Sequence, residues 1–369
     1  MTNIGLFIQG GHLLSNGITQ QGHFTKLTLE SCGYNVDLLS TTDIDSYEQL
    51  GHKVNVLNLQ SDVSKYNVII FVSALLTSDN KDNILFLSKL KENKCKLVNL
   101  ICGNIFYLYQ EEIIFNVHNI IKSNKNDFID EIWILPMYKH CLQLAETFFK
   151  IPVKIAPYVW NSDVLKSFIP SGRNLPYYSN KLNNESIYLV CAEPNMSVHK
   201  NAFVPLMIAE SYDNKYKNMN KLCVLCGDKL HINDLKKYLH ILSNNKCELY
   251  QRMAYHQILQ QFVENNQLIS IVSHQYLNEL NFFHFETLFL GWPLIHNCDE
   301  LINVGYYYNS HNISDASLQI EYARLNHSRN LELYMKNIHI FLEKYNPHNK
   351  IVNEKYKQLI ENLISENKS

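Results

Sequence analysis

The chain has 369 residues, of which 46% are hydrophobic and 18% are charged. This length fits two domains of ordinary size, and this hydrophobic content excludes an intrinsically disordered scaffold. The 33 Lys and Arg residues nearly balance the 35 Asp and Glu residues, which leaves a net charge of -2. No global positive field attracts a polyanion, so bulk binding of nucleic acid is not expected.

The nine cysteines are scattered singly, mostly in apolar runs. This pattern predicts free thiols in a reducing compartment, and we expect Cys223 and Cys226 to pack in a core strand rather than to bind a metal. The chain shows no signal-peptide pattern, and its longest apolar run, Val68–Leu76, is shorter than the roughly 20 residues that span a bilayer. We therefore expect a cytoplasmic protein. Its Asn- and Lys-rich composition is typical of AT-rich genomes and fits a bacterium or a large DNA virus, in which case the location is the host cytoplasm or the virion.

Short apolar runs alternate with helix-like segments over residues 1–160. In chain order, the pattern predicts a strand at 4–9, a helix at 24–32, strands at 36–39, 53–59 and 68–72, a helix at 82–93, strands at 96–101 and 130–135, a helix at 139–149 and a strand at 153–156. Strands separated by helices of about 10–15 residues are typical of a parallel, doubly wound sheet. We therefore expect a Rossmann-like N-terminal domain over residues 1–160.

A second alternation follows an interruption. Residues 161–186 include Pro170, Gly172, Pro176 and a polar run, and we interpret them as a linker. The pattern then predicts strands at 187–191, 221–226, 247–250, 268–272 and 293–296, and helices at 201–213, 233–242, 255–263 and 283–290. The expected fold class is α/β, with a second Rossmann-like domain over 187–325 and a C-terminal helical tail over 326–369.

The segment Ser273–Asn297 carries the clearest chemical pattern: a strand, a polar loop, a helix that opens near Asn281, a glycine and another strand. A helix N-terminus offers backbone N–H groups and the positive end of a dipole, which suits a diphosphate. Glu286 lies further into this apolar helix, where a carboxylate needs a partner such as the hydroxyls of a ribose. The alternative is an ordinary strand–helix–strand unit with Glu286 in solvent.

Two parts of this segment resemble a known family. Residues 285–295, FETLFLGWPLI, resemble the LEALACGVPVV segment of nucleotide-sugar-dependent glycosyltransferases of the GT-B fold, and residues 279–282, ELNF, resemble their EGFG loop around the donor pyrophosphate. Retaining members have two glutamates separated by seven residues; here six residues separate Glu279 from Glu286, and Asn281 stands where the family favours glycine. The resemblance implies a catalytic role for Glu286 and donor binding by Glu279, Leu280, Asn281, Phe282 and Glu286.

The chain is most similar to a sub-group of uncharacterised glycosyltransferase-like proteins of bacteria and large DNA viruses, over most of its length. The cues are Asn16–Ile18, Trp133–Tyr138, Pro157–Trp160, Val272–Gln275, His296–Asn297 and Val304–Tyr308. This resemblance implies two Rossmann-like domains that face each other across a cleft. It places the acceptor on the N-terminal side and the nucleotide sugar in the C-terminal domain, with the C-terminal helices crossing back to the first domain.

Four further residues are candidates for contact with the donor or the substrate. In GT-B transferases the first strand–helix loop of the second domain supplies basic residues to the donor phosphates, which implies Lys200, while Asn195 stands where the family often has arginine. Arg252 follows a predicted strand where such folds line the base or phosphate pocket. His274 and His296 lie at carboxyl ends of predicted strands, where parallel sheets bind ligands. The alternative for Lys200 is a solvated lysine that precedes a helix.

The first loop of the chain is rich in glycine, which permits close approach of the backbone to a ligand. The resemblance implies that the acceptor-side loop includes Gly10, Gly11, His12, Asn16 and Gly17. Because an unperturbed histidine has a pKa of about 6.5, His12 is also a candidate general base. The alternative is that His12 is a solvated histidine without a catalytic role. The loop matches neither GxGxxG nor a P-loop, which argues against hydride transfer and nucleoside triphosphate hydrolysis.

The leading hypothesis is a glycosyltransferase that moves a sugar from a UDP- or GDP-sugar to a glycan, protein or small-molecule acceptor. Lys200 and helix N-termini would stabilise the leaving diphosphate, and no cofactor is expected. Asp43 and Asp45 form an Asp-x-Asp run by letter, but no strand directly precedes them, so no metal is expected either. Glu286 favours retention of configuration, whereas His12 as a base favours inversion.

Other functions stay open at this point. They are a sugar-nucleotide epimerase, a DNA-base glucosyltransferase, which would need a basic cleft, and a non-catalytic protein that binds a nucleotide sugar. A homodimer also stays open.

Overall fold

The computed structural model describes residues 2–9, 13, 17–42, 45–57, 61–73, 76, 80–117, 127–167, 186–253, 261–262, 265, 267–278 and 280–365. The chain divides into two compact units, Met1–Phe168 with Leu342–Ser369, and Ile169–Phe341. Each unit contains a parallel β-sheet, and helices flank both sheets. The expected α/β fold with two parallel sheets and a C-terminal helix is therefore confirmed.

Within the described residues, the sheet of the first unit has seven parallel strands in the order β3-β2-β1-β4-β5-β6-β7. They are β1 (Asn3–Phe7), β2 (Asn35–Ser40), β3 (Val54–Val56), β4 (Val68–Val72), β5 (Lys96–Ile101), β6 (Glu131–Ile134) and β7 (Val153–Ile155). The apolar strand β4 is buried along its whole length, as expected for a central strand with helices on both faces. The strand order reverses between β1 and β4.

The helices of the same region are α1 (Gly17–Ser31), α2 (Lys81–Glu92), α3 (Ile105–Phe115), α4 (Leu142–Phe149) and α5 (Asp163–Ser167). Helix α2 shows the local signals clearly. Asn80 caps it by accepting a hydrogen bond from the backbone N–H of Asp82. Lys89 and Lys91 lie in its last turn, where their positive charges interact favourably with the negative end of the helix dipole.

The described part of the second unit contains a sheet of six parallel strands in the order β10-β9-β8-β11-β12-β13. They are β8 (Ile187–Cys191), β9 (Met219–Val224), β10 (Cys247–Leu249), β11 (Ile269–Val272), β12 (Leu294–His296) and β13 (Tyr306–Tyr307). The helices are α6 (Phe203–Tyr216), α7 (His240–Ser243), α8 (Phe282–Phe289), α9 (Ile313–Asn326) and α10 (Leu331–Leu342). Here the strand order reverses between β8 and β11.

The last helix, α11 (Lys350–Ser365), belongs to the first unit and packs on α1. The side chain of Tyr356 is fully buried, and its hydroxyl donates a hydrogen bond to the carbonyl of Pro157 at 3.0 Å. The backbone N–H of Trp160 donates to the carbonyl of Tyr345 at 2.9 Å. These contacts attach the end of the chain to the segment that follows β7.

Several elements differ from the sequence expectations. Helix α1 begins at Gly17 rather than at residue 24, and helix α5 lies in the segment that was expected to be a linker. Helix α3 was not expected, because Ile113, Ile114 and Phe115 give it apolar residues on exposed faces and obscure the helical period. The helix expected at 233–242 is only 3-10 turns followed by the single turn of α7, since this segment has no continuous apolar face. Strand β13 has two residues and is too short to be recognised from its pattern. The helix expected at 255–263 lies mostly outside the described residues.

All nine cysteines are free, as their scattered positions indicated. Cys223 is buried in β9, and Cys226 follows that strand. Among the described residues, none of the helices is both long enough and apolar enough to cross a bilayer.

Gly305 provides a test of packing at the edge of the second sheet. Its φ is +71, and a Cβ atom there would lie 2.7 Å from Nε2 of His296, which donates a hydrogen bond to the carbonyl of Val304. Gly51 has a similar φ of +74 but has open space around it. We expect Gly51→Ala to cost about 1–2 kcal/mol from backbone strain and Gly305→Ala to cost about 1–3 kcal/mol more. Calorimetric unfolding measures both, and equal losses would contradict this packing.

The side chain of His23 in α1 generates a second prediction. It is 2% exposed, and neither ring nitrogen has a hydrogen-bond partner within the described structure. Burial, with smaller effects from His52 and Lys26, lowers its pKa to about 3. The unfolded chain therefore binds a proton below about pH 6.5 that the folded chain does not bind, and stability falls as the pH falls.

Between pH 8 and pH 5 the free energy of unfolding decreases, and we expect His23→Leu to make this decrease smaller by roughly 2 kcal/mol. Urea unfolding at both pH values measures the difference. His140→Leu, at an exposed histidine, is the matched control and leaves the pH dependence unchanged. An unchanged acid slope in His23→Leu would show that this imidazole is not a buried neutral group.

Candidate functional site

The candidate site lies at the carboxyl edge of the second sheet, between β8 and β11. Because the strand order reverses there, the loops after these two strands leave in opposite directions and bound a crevice, which is where such sheets bind ligands. The loop after β8 comprises residues 192–202, and the loop after β11 comprises residues 273–281.

The carboxylate of Glu193 joins these two loops. It is 2% exposed, and its Oε1 accepts a hydrogen bond from the hydroxyl of Ser273 at 2.6 Å, while its Oε2 accepts one from the amide of Gln275 at 2.6 Å. Burial raises the pKa of Glu193, whereas Ser273, Lys200 and Gln275 act to lower it. Burial is the largest of these effects, so the pKa of Glu193 is raised overall, and the two hydrogen bonds replace the hydration that the buried carboxyl group has lost.

Ser273 extends this connection to helix α8. Its hydroxyl has one proton and donates it to Glu193, so at its second contact, 2.8 Å from Nε2 of His284, the oxygen accepts and the imidazole donates. The backbone N–H of His284 in turn donates to the side chain of Asn281 at 2.9 Å. The start of α8 is thereby tied to the loop after β8.

Lys200 is held against the loop after β11 by its backbone. It forms an antiparallel bridge with Gln275, and the N–H of Tyr276 donates to the carbonyl of His199 at 3.0 Å. Burial lowers the pKa of Lys200, and the carboxylate of Glu193 raises it. The backbone contacts therefore place Lys200 at the crevice, against the loop after β11.

Asn195 stands where the related transferases often have arginine, but its amide has a structural role. Its Nδ2 donates to the carbonyls of Leu225 and Cys226, each at 3.1 Å, and its Oδ1 accepts from the N–H of Ala202 at 2.8 Å. Its φ of +53 is one that asparagine tolerates well. The side chain fixes the loop after β8 rather than extending to a phosphate.

A second asparagine fixes the loop after β11. The N–H of Gln275 donates to Oδ1 of Asn297 at 2.9 Å, and Nδ2 of Asn297 donates to the carbonyl of Gln275 at 2.8 Å. The amide thus pairs with the backbone as a neighbouring strand would. The side chain of Asn278 donates to Oε1 of Gln275 at 3.3 Å, and Leu277 has a φ of +49. Side chains thus add to the short backbone bridge with Lys200 in holding this loop.

Helix α8 begins where the sequence indicated. Asn281 is its N-cap, and Glu286 is 3% exposed, so the alternative of a solvated carboxylate at this position is wrong. Leu280 and Phe282 are also buried, and their side chains belong to the core.

The two histidines at strand ends have different surroundings. In His296 one ring nitrogen donates to the carbonyl of Val304 and the other accepts from the N–H of Cys298, so it is structural. His274 is 5% exposed, and its Nδ1 lies 2.9 Å from the hydroxyl of Tyr308. Since that hydroxyl donates to the carbonyl of residue 273, Nδ1 of His274 donates, and Nε2 is an acceptor. Burial, with a smaller effect of a neighbouring histidine, lowers the pKa of His274 to about 4.

Of the remaining sequence candidates, Arg252 and Gly17 lie within the described residues. Arg252 is exposed and interacts electrostatically with Cys226 at the end of β9. Gly17 is the first residue of α1 in the first unit. Gly10, Gly11, His12, Asn16 and Glu279 lie outside the described residues. Within the part of the chain that is described, no group of three or more His, Cys, Asp or Glu side chains is arranged to hold a metal ion.

The sequence analysis assigned no role to Glu193 or Gln275. Both are polar residues directly after predicted strands, and that placement was the available signal. Their partnership depends on the pairing of β8 with β11, which are separated by more than 70 residues in the chain.

Comparison with solved structures shows a shared fold at low sequence identity. An α-glucosyltransferase solved with UDP matches with a TM-score of 0.62 and 10% identity, over 98% of this chain and 100% of that one. HepE of Anabaena, solved with UDP and glucose, matches with a TM-score of 0.59 and 12% identity, over 98% and 100%. TarM of S. aureus, solved with UDP, matches with a TM-score of 0.53 and 14% identity, and the alignment covers 82% of this chain but only 56% of TarM.

These structures are glycosyltransferases of the GT-B fold, so the protein has that fold. Comparison with curated protein sequences gives no match. A family model described as a protein of unknown function, DUF2827, matches residues 3–360, almost the whole chain, and the protein therefore belongs to the DUF2827 family.

Proposed function

We propose that this protein is a glycosyltransferase that takes a sugar from a nucleotide sugar. The observation that carries the proposal is the arrangement at the β8/β11 crevice, where Lys200, the N-terminus of α8 and the buried carboxylate of Glu286 belong to one carboxyl edge. A diphosphate, a helix N-terminus and a lysine are complementary in charge. The similar solved structures hold UDP, which makes UDP the first nucleotide to test.

In this proposal the diphosphate of the donor lies between Lys200 and the first turn of α8. The C1–O bond to the β-phosphate breaks, the acceptor oxygen forms the new bond to C1, and the acceptor hydroxyl loses its proton. Lys200 and the helix dipole stabilise the negative charge that develops on the leaving diphosphate. They take the place that a divalent cation takes in Asp-x-Asp transferases, so the reaction is proposed to be independent of metal.

Glu286 is proposed to bind the nucleoside. It lies one turn into α8, and a carboxylate accepts hydrogen bonds from two adjacent hydroxyls such as those of a ribose. The acceptor side is a sequence prediction: Gly10, Gly11, His12, Asn16 and Gly17 are expected to face the acceptor, with His12 as the general base.

A second candidate is a protein that binds a nucleotide sugar without turnover. Asn195 favours it, because its amide is bonded to the backbone at both ends and the loop after β8 supplies one cation, Lys200, where the family often has two. Release of UDP from UDP-sugars, measured with and without a panel of acceptor alcohols, separates the two candidates. Binding without release in every mixture would favour the second.

Substitution of Lys200 tests which part of the donor this residue contacts. We expect Lys200→Met to weaken UDP binding about tenfold to a hundredfold, since a charge-assisted contact contributes about 1.5–3 kcal/mol, and to leave uridine binding unchanged. Titration calorimetry measures both. Lys215→Met is the control, because Lys215 is exposed near the end of α6, at the opposite edge of the sheet. Equal losses for uridine and UDP would contradict a phosphate contact.

Substitution of Glu286 gives the complementary result. We expect Glu286→Gln to weaken uridine and UDP by the same factor, about tenfold or more, because the hydrogen bonds to ribose are common to both ligands. The same calorimetric series measures this, and a thermal unfolding curve confirms that the variant is folded. A loss of affinity for UDP alone would contradict a contact with the ribose and would indicate that Glu286 affects binding of the phosphates.

A further inference from the structure

We propose that His274 recognises the sugar of the donor, and that its Nε2 accepts a hydrogen bond from one hydroxyl group of the sugar that is transferred. This inference rests on the proposed function, in which Lys200 and the first turn of α8 contact the diphosphate and Glu286 contacts the nucleoside. Those contacts account for the nucleotide but not for the sugar.

His274 belongs to the loop after β11, which bounds the crevice. It follows Ser273 directly and precedes the residues that lead to the N-terminus of α8. Its ring lies near those of Tyr308 and His311, which are in the loop after β13, residues 308–312. The sheet order places β8 on one side of β11, and β12 and β13 on the other. A donor whose diphosphate lies beside Lys200 is therefore expected to extend its sugar towards His274.

The hydrogen bonds around Tyr308 determine which nitrogen of His274 carries a proton. The hydroxyl of Tyr308 lies 3.2 Å from the carbonyl of Ser273 and 2.9 Å from Nδ1 of His274. A carbonyl only accepts, and the hydroxyl has one proton. Both contacts are hydrogen bonds only when Tyr308 donates to the carbonyl and Nδ1 of His274 donates to Tyr308. Nε2 of the neutral ring is then an acceptor.

This acceptor is buried, and it has no hydrogen-bond partner among the residues that the structure describes. A buried acceptor without a partner is costly, and a ligand that donates a hydrogen bond to it recovers that cost. Burial, with a smaller effect of His311, lowers the pKa of His274 to about 4, so the ring is neutral near pH 7. A neutral acceptor does not repel a diphosphate as a carboxylate would, and so weak a base holds a hydroxyl without removing its proton.

His311 is the side chain that we expect the sugar to displace. Because Nε2 of His274 is buried, a hydroxyl reaches it only when a neighbouring side chain moves. The rings of His311 and His274 lie with their centroids 4.6 Å apart, and His311 is exposed to solvent. Exposed side chains change rotamer readily. In this inference His311 covers the acceptor until a sugar takes its place.

Two substitutions at position 274 separate the roles of the two ring nitrogens. The amide nitrogen of asparagine can replace Nδ1 and donate to Tyr308, but asparagine has no atom at the position of Nε2, whereas the longer glutamine can place its amide oxygen there. We expect His274→Asn to bind UDP-hexoses about tenfold more weakly and UDP with unchanged affinity. We expect His274→Gln to retain part of the affinity for UDP-hexoses.

Titration calorimetry with UDP, UDP-glucose, UDP-galactose and UDP-N-acetylglucosamine measures these affinities. His240→Asn, at an exposed histidine of α7, is the matched control. The inference is overturned if His274→Asn leaves every UDP-hexose unaffected, or if it weakens UDP by the same factor, because the contact would then be with the nucleotide. A loss in His274→Gln as large as that in His274→Asn also overturns it. Thermal unfolding shows whether each variant is folded.

Removal of the covering ring gives a result of opposite sign. We expect His311→Ala to bind UDP-hexoses as tightly as the unaltered protein or more tightly, because the sugar no longer has to displace a side chain. A loss as large as that in His274→Asn would show that the loop after β13, and not Nε2 of His274, determines the affinity, and it overturns the inference.

Deoxy analogues of the tightest-binding UDP-hexose identify the hydroxyl group. We expect at least one analogue that lacks a single sugar hydroxyl to bind the unaltered protein about tenfold more weakly than its parent, because it leaves Nε2 of His274 unpaired. In His274→Asn the same analogue and its parent are expected to bind equally. An equal preference in both proteins for every analogue overturns the inference.

A measurement without ligand separates this inference from the proposed function. Nitrogen NMR of protein with isotope-labelled histidine reports which ring nitrogen carries the proton, and the signals of His274 are those that His274→Asn lacks. We expect a protonated Nδ1 and an unprotonated Nε2 at neutral pH. A proton on Nε2 overturns the inference and leaves the proposed function intact. Absence of binding of UDP and of every nucleotide sugar to the unaltered protein overturns the proposed function and, with it, the sugar contact of His274.

Discussion

The buried carboxylate of Glu193 is the interaction on which the candidate site depends. A buried carboxyl group is tolerated only when hydrogen bonds replace its hydration, and here Ser273 and Gln275 of the loop after β11 supply them. Lys200 joins the same loop through the backbone bridge that it forms with Gln275. The strand reversal creates the crevice, and this carboxylate determines which side chains bound it.

The two loops share a second physical feature, which is that amides replace strand pairing at the carboxyl edge. Asn195 bonds the loop after β8 to the ends of β9 and α6, and Asn297 bonds the loop after β11 to the end of β12. The amide of Asn195 satisfies one backbone donor and two acceptors, and that of Asn297 satisfies one of each; these groups of an irregular backbone would otherwise be costly to bury. These hydrogen bonds hold both loops in defined conformations that are not strands. A loop that is held by its scaffold in this way can present a ligand site.

The sequence was informative where a signal was local. The apolar runs of β5 and β8 predict those strands to the residue, and Asn281 followed by an apolar helical stretch predicts the start of α8 within one residue. The burial of Glu286 also followed from its apolar neighbours. The roles of Glu193 and Asn195 could not be predicted, because they depend on strand pairing between distant segments. Asn195 was noted only as a position without a positive charge, and the hydrogen bonds that its amide can form were not considered.

Helix α11 also has a consequence for the order in which the protein assembles. The first unit takes its strands from residues 3–155 but closes over α1 with residues 350–365, which are synthesised after the whole second unit. On a ribosome, the second unit therefore has its whole sequence available before the first unit can bury Tyr356 against the segment after β7. Domains of growing chains commonly fold from the N-terminus onward. Here the first unit cannot complete its packing over α1 in that order, because the contact between Tyr356 and Pro157 joins residues 199 positions apart.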